Sequence, residues 1–116
     1  MPNPIVLSLI SVALIAIGQL LLKSCAILMT QTEGLLNTKL VATFIFSLAI
    51  YGIATITWIL ALRDIDLNKA YPIAALAFVL VPLGSHFLLG EKLTFQYAIG
   101  ILLICAGIVI AFRAPT

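Results

Sequence analysis

The sequence predicts an all-α membrane protein with four transmembrane helices in a single domain over residues 1–116. Three observations carry that expectation. Hydrophobic residues make up 64% of the 116 and charged residues 9%, and the mean hydropathy is +1.29, which is far more apolar than soluble domains are. Four uncharged runs, 1–22, 40–62, 70–90 and 93–112, each reach across a ~30 Å hydrocarbon core at about 1.5 Å per helical residue. No period-two alternation appears, which argues against a membrane barrel.

The first span is expected over about 4–23. It lacks a basic leading segment and a small-residue cleavage site before the polar loop, so it reads as a span and not as a secretory signal. It closes on "IGQLLLK", with an amide at Gln19 and an amine at Lys23 one turn apart. Residues 25–29, Cys-Ala-Ile-Leu-Met, are apolar enough to carry the helix past Lys23, which would place the amine deeper than the run boundary.

The second span, about 40–62, carries Thr43, Ser47, Tyr51 and Thr55 every four residues, leading to Trp58. These hydroxyls either line a cavity or bond carbonyls of their own helix. Trp58 suits an interfacial belt.

The third span, about 70–90, opens Ala70-Tyr71-Pro72, and a first-turn proline sets the helix start close to Lys69. Mid-span, Pro82 removes a helix hydrogen bond and frees a carbonyl near Phe78. Beside Ala74, Ala75, Ala77 and Gly84 it makes either a hinge in a groove wall or a static bend. His86 is either a proton relay or a hydrogen-bonded interfacial histidine.

In the fourth span, about 93–112, Gly100, Gly107 and Ala111 share a helix face. Small residues let membrane helices approach closely, so Gly100 and Gly107 mark either a dimer interface or packing within the chain.

Four spans put both termini and loop 63–69 on one side, with Arg63, Lys69 and Arg113; Lys23, Lys39 and Lys92 lie on the other. That balance gives the positive-inside rule no preference. Four helices form a thin bundle with little room for a polar route, and no internal repeat supplies a second half. An antiparallel homodimer of four-helix bundles is therefore expected.

Cys25 and Cys105 lie about 12 residues, or ~18 Å, apart along the bundle, too far to bridge within one chain. One His, two distant Cys and four acids near membrane edges build no metal centre, nucleotide loop or hydrolytic constellation. No enzyme, cofactor, metal or nucleic-acid partner is expected.

Residues 91–111, EKLTFQYAIGILLICAGIVIA, and 70–84, AYPIAALAFVLVPLG, resemble short, four-helix members of the drug/metabolite transporter superfamily over essentially the whole chain. The fourth span is similar to small multidrug resistance proteins, which exchange protons for cations and place a substrate-contacting tyrosine where Tyr71 stands. That family's first-helix glutamate corresponds to Ile15 here, and its aromatic wall after the tyrosine is reduced to Ala74. A cation in low dielectric needs a compensating negative charge, and a proton antiporter needs a titrating group.

Gly18-Gln19-Leu20-Leu21-Leu22-Lys23 and Ala70-Tyr71-Pro72, with Leu76, Phe78, Glu91 and Gly107, resemble the paired, EamA-like four-span proteins typified by the flippase for undecaprenyl-phosphate-linked aminoarabinose. A serine and an asparagine usual in that group are Ala75 and Ala77 here. The resemblance implies translocation of a lipid-linked (polyprenyl-phosphate) sugar or related anionic lipid across the bacterial inner membrane. Gln19, Lys23, Tyr71, Ser11 and Phe78 would contact substrate, with membrane lipids and a second copy of the chain as further partners.

The charges suit such a substrate, because its tail stays in lipid while donors hold its phosphate. Lys23 supplies a mobile cation, Gln19 an amide four residues away, and Ser8 and Ser11 continue toward the other side. Two other functions fit the four-span layout: an exporter of small metabolites or drugs, and a non-transporting accessory subunit.

Overall fold

A computed structural model describes residues 3–31 and 37–115. The elements are α1 (Pro4–Gln31), α2 (Thr38–Leu62), α3 (Leu67–Ala74), α4 (Ala77–Leu89) and α5 (Phe95–Arg113). They form four spans long and apolar enough to cross a membrane, with α3 and α4 together making the third, Leu67–Leu89. The described residues contain helices and no strand.

Helix α1 runs on to Gln31 instead of ending near Lys23. No glycine or proline interrupts residues 24–31, and the hydroxyls there bond back into the helix: Ser24 donates to the Leu20 carbonyl at 3.1 Å and Thr30 to the Ile27 carbonyl at 2.7 Å. Lys23 is therefore a mid-helix residue. The Asn37 side chain caps α2 by accepting from the Lys39 and Leu40 amides, and Thr94 Oγ1 caps α5 through the Tyr97 amide.

The third span breaks at Ala75 and Leu76, while α4 continues through Pro82. Tight i to i+3 bonds mark the break, from the Leu76 amide to Ile73, Phe78 to Ala75 and Val79 to Leu76. Pro82 cannot donate to Phe78 and its ring crowds that carbonyl. The irregular turn thus falls just before the residue proline perturbs, one to two turns ahead of the proline itself.

Along the layer the helices follow the order α2, α1, α3 with α4, then α5. The bundle is accordingly flattened, with extents of 53 × 38 × 16 Å. At the end holding the carboxyl terminus, Lys69 Nζ donates to the Phe112 carbonyl at 2.9 Å and lies 4.6 Å from its ring centroid, tying the start of α3 to the end of α5.

The tightest seam joins α1 to α2. Helix α2 buries Leu40, Ser47, Ala54 and Ala61, one residue every heptad, and α1 buries Ser8, Ser11, Gly18 and Cys25. Ser11 donates to the Ala54 carbonyl at 2.6 Å. Small side chains lie inside, while Phe46, Leu102 and Ile110 are more than half exposed. That is the pattern of helices held by close packing in lipid.

On its other side α1 buries Val12 and Ala16 and sets Leu20 against Gly84. Helix α5 buries no residue at all.

Candidate functional site

Gln19 sits on the side of α1 turned away from α2. With Ile15 it forms one wall of a hollow of about 310 Å³, which Ala77, Phe78, Val81 and Pro82 of α4 and Tyr97 of α5 complete. Among the described residues the Gln19 amide has no hydrogen-bond partner, and its side chain is exposed.

Two further hollows adjoin this one. Phe78 and Tyr97 also bound a space of about 440 Å³ between α4 and α5, floored by Gly100 and Ile104. Pro82 and Tyr97 lead to a smaller space of about 130 Å³ lined by Ser85, Glu91, Lys92 and Leu93. The three make a groove, apolar along α5 and charged at one end.

The charged end is built by a helix terminus. Gly90 closes α4 with φ +73, a left-handed conformation that side chains disfavour, and its amide and that of Glu91 both donate to the Ser85 carbonyl. This reversal folds Glu91 back over the last turn, where the Ser85 hydroxyl donates to Glu91 Oε1. His86 Nδ1 donates to the Glu91 carbonyl at 2.8 Å.

Glu91 Oε2 in turn lies 3.5 Å from Lys23 Nζ, one turn beyond Gln19, with both side chains about half exposed. The Ser85 hydrogen bond holds the Glu91 carboxyl below the usual carboxylate range, aided by Lys23 and partly opposed by burial. The site thus presents an unbonded amide, an ammonium in a loose ion pair and an open groove.

Of the residues expected to contact substrate, Gln19 and Phe78 share the first hollow with Pro82, and Lys23 stands at its charged end. Ser11 lies elsewhere: it is buried against α2 with its hydroxyl committed to Ala54. Tyr71, 64% exposed, sits two residues from Lys69 toward the opposite end, and it lines none of the three hollows.

A Cβ on Gly100 or Gly107 would meet nothing within 4 Å, so neither glycine packs against another helix of this chain. Three hydroxyls of the α2 stripe bond their own helix, Thr43 to Lys39, Ser47 to Thr43 and Thr55 to Tyr51, whereas the Tyr51 hydroxyl is buried without a partner among the described residues. Cys25 and Cys105 are both free.

Ser85, Tyr97 and the role of Glu91 as the partner of Lys23 were not apparent from sequence. One signal pointed to the last, since the four-span topology places Lys23 and the turn at Glu91 and Lys92 on the same membrane side.

The EamA-like transporter family matches residues 3–113. The chain is 38% identical over 63 residues, 54% of its length and 55% of the relative's, to the "Probable 4-amino-4-deoxy-L-arabinose-phosphoundecaprenol flippase subunit ArnE" of Pseudomonas aeruginosa (strain UCBPP-PA14). It is 34% identical over 112 residues, 89% of its length and 85% of the relative's, to the flippase subunit ArnF, likewise named as probable, of Sodalis glossinidius (strain morsitans). The chain spans about half the length of the ArnE relatives it matches. No solved structure matches.

Proposed function

The chain belongs to the EamA-like transporter family, and from that premise we propose that it carries a polyprenyl-phosphate-linked sugar, or a related anionic lipid, across the membrane. It is a multi-pass protein of the bacterial inner membrane. The observation that carries the proposal is the pairing of an uncommitted Gln19 amide with the half-exposed Lys23 ammonium at one end of a groove open along α5.

A lipid phosphate crossing the bilayer needs donors wherever it leaves water, because an uncompensated charge in hydrocarbon is costly. Lys23 offers charge and Gln19 a neutral donor one turn deeper, while Phe78 and Tyr97 flank a channel for the prenyl chain. Ile15 lines the same hollow, so no carboxylate there favours a cation. The protein works by binding and moving its substrate, without chemical conversion.

The chain acts as a homodimer in this reading, antiparallel as the balanced cations allow. An α5 with no buried residue, carrying Gly100 and Gly107 in open space, supports a second copy on that side. The names of the relatives describe subunits of flippases, which also favours an assembly.

Reconstitution into phosphatidylcholine vesicles tests the function. Labelled undecaprenyl-phosphate sugar added on one side should become accessible on the other at a protein-dependent rate. Vesicles that pass a soluble solute but not this lipid would refute the proposal.

A further inference from the structure

We propose that Glu91 is the resident counter-ion of Lys23 and that the phosphate of an incoming lipid takes its place. The inference rests on the anionic-lipid reading above and assigns Glu91 a role in that site: it occupies the cation until a competing anion arrives.

The geometry suits exchange. At 3.5 Å the Lys23–Glu91 contact is longer than the ~2.7–2.9 Å of a well-formed charge-assisted bond, and both side chains are about half exposed. Such a pair is held weakly. The phosphate of a polyprenyl-linked sugar is a diester with one negative charge and two free oxygens, and that of undecaprenyl phosphate a monoester with more charge and three; either competes for an ammonium held this weakly.

The carboxylate is anchored independently of Lys23. Ser85 bonds its Oε1, the Gly90 reversal fixes its backbone, and His86 holds its carbonyl. Lys92 lines the same small hollow and offers a second positive charge nearby. When Lys23 turns to a phosphate, Glu91 therefore keeps its position and is not left as an orphaned charge, which would otherwise oppose the exchange.

Lys23, by contrast, has no other anionic partner among the described residues. It rides on α1, whereas Glu91 belongs to the connection between α4 and α5, so the exchange also unfastens two parts of the layer. A neutral lipid has nothing with which to displace a carboxylate. Glu91 would thus impose selectivity for anions.

The test uses the full chain in phosphatidylcholine nanodiscs, with Lys23 acylation by a water-soluble amine reagent read by mass spectrometry. Glu91→Gln removes the charge yet keeps an acceptor for Ser85. It should speed acylation in the absence of ligand and lower the undecaprenyl phosphate needed for half-protection roughly two- to fivefold, the scale of a half-exposed ion pair. Glu91→Asp, which reaches less far, should move the same way by less and serves if Glu91→Gln inserts poorly.

Uncharged undecaprenol should protect no variant; equal protection by it would mean that the tail alone shields Lys23 and would overturn the exchange. An unchanged or raised half-protection in Glu91→Gln, with wild-type Lys23 still protected, would overturn the counter-ion role alone. If undecaprenyl phosphate protects Lys23 in no variant, both this inference and the proposed function fail.

Discussion

The ring of Tyr51 lies directly over Gly18: a Cβ on Gly18 would stand 2.6 Å from Tyr51 Cε2 and 2.8 Å from Cδ2. The glycine that opens the Gly-Gln-Leu motif is therefore a packing residue of the α1–α2 seam, and it orients the helix that carries Gln19 and Lys23. Gly18→Ala should destabilise the protein by about 1–3 kcal/mol, the usual cost of overfilling a close contact. Gly84→Ala should cost less, because its nearest neighbour at 2.7 Å is Cδ1 of Leu20, the free end of a flexible chain. Loss of helical signal on titration with sodium dodecyl sulfate ranks the two, and the reverse order would argue against the seam.

Ser11 separates structure from function. Its hydroxyl bridges α1 to the Ala54 carbonyl and is fully buried. Ser11→Ala should lower stability by about 0.5–1 kcal/mol, as for a single interhelical hydrogen bond in a membrane. Lipid translocation per inserted molecule should stay unchanged. A specific loss of translocation would return Ser11 to the substrate path.

Much of this was readable from residues alone, and the failures share a cause. Four spans follow from run length, because that depends on local sequence. Which way a helix faces depends on its neighbours: Ser11 lies two turns from Gln19, yet α2 claims one and α4 the other. The bond between Lys23 and Glu91 is equally non-local, since it needs the Gly90 reversal to swing the carboxylate toward α1. The break at Ala75 and Leu76 is not legible in sequence because neither residue breaks helices; it falls between the helix-internal prolines at 72 and 82.

For transport, Lys23→Ala should matter most. Losing a charge-assisted contact of about 1.5–3 kcal/mol corresponds to a roughly ten- to hundredfold fall in translocation at limiting lipid. Gln19→Leu should reduce it less, since a neutral donor is lost. Tyr71→Phe should be milder still, because Tyr71 stands outside the three hollows. Initial rates in vesicles matched for inserted protein measure all three, and normal rates for Lys23→Ala would sink the phosphate-holding role.

Acid should weaken the charged end of the groove in a defined direction. Glu91 is held below its ordinary value of 4.5, first by Ser85 and then by Lys23. A carboxyl with a depressed pKa in the folded state contributes stability that is complete above the unfolded value and disappears as pH falls through the folded one. The difference in unfolding midpoint between wild type and Glu91→Gln should therefore be level at neutral pH and shrink only below 4.5. Circular dichroism melts in detergent across that range check the sign, and a difference that grows with acid would contradict the ion pair.

Gly100 and Gly107 distinguish a dimer face from the interior of one chain. Since a side chain at either would meet no atom of this chain within 4 Å, Gly100→Leu and Gly107→Leu should leave the monomer fold and its helical content intact. If α5 is where two copies meet, the same bulk would separate helices that rely on close approach of small residues, and association should fall. Sedimentation in density-matched detergent reads this directly. Dimers that persist in the double variant would place the interface elsewhere, most simply on α2, whose outward Phe44, Phe46 and Ile56 are also exposed.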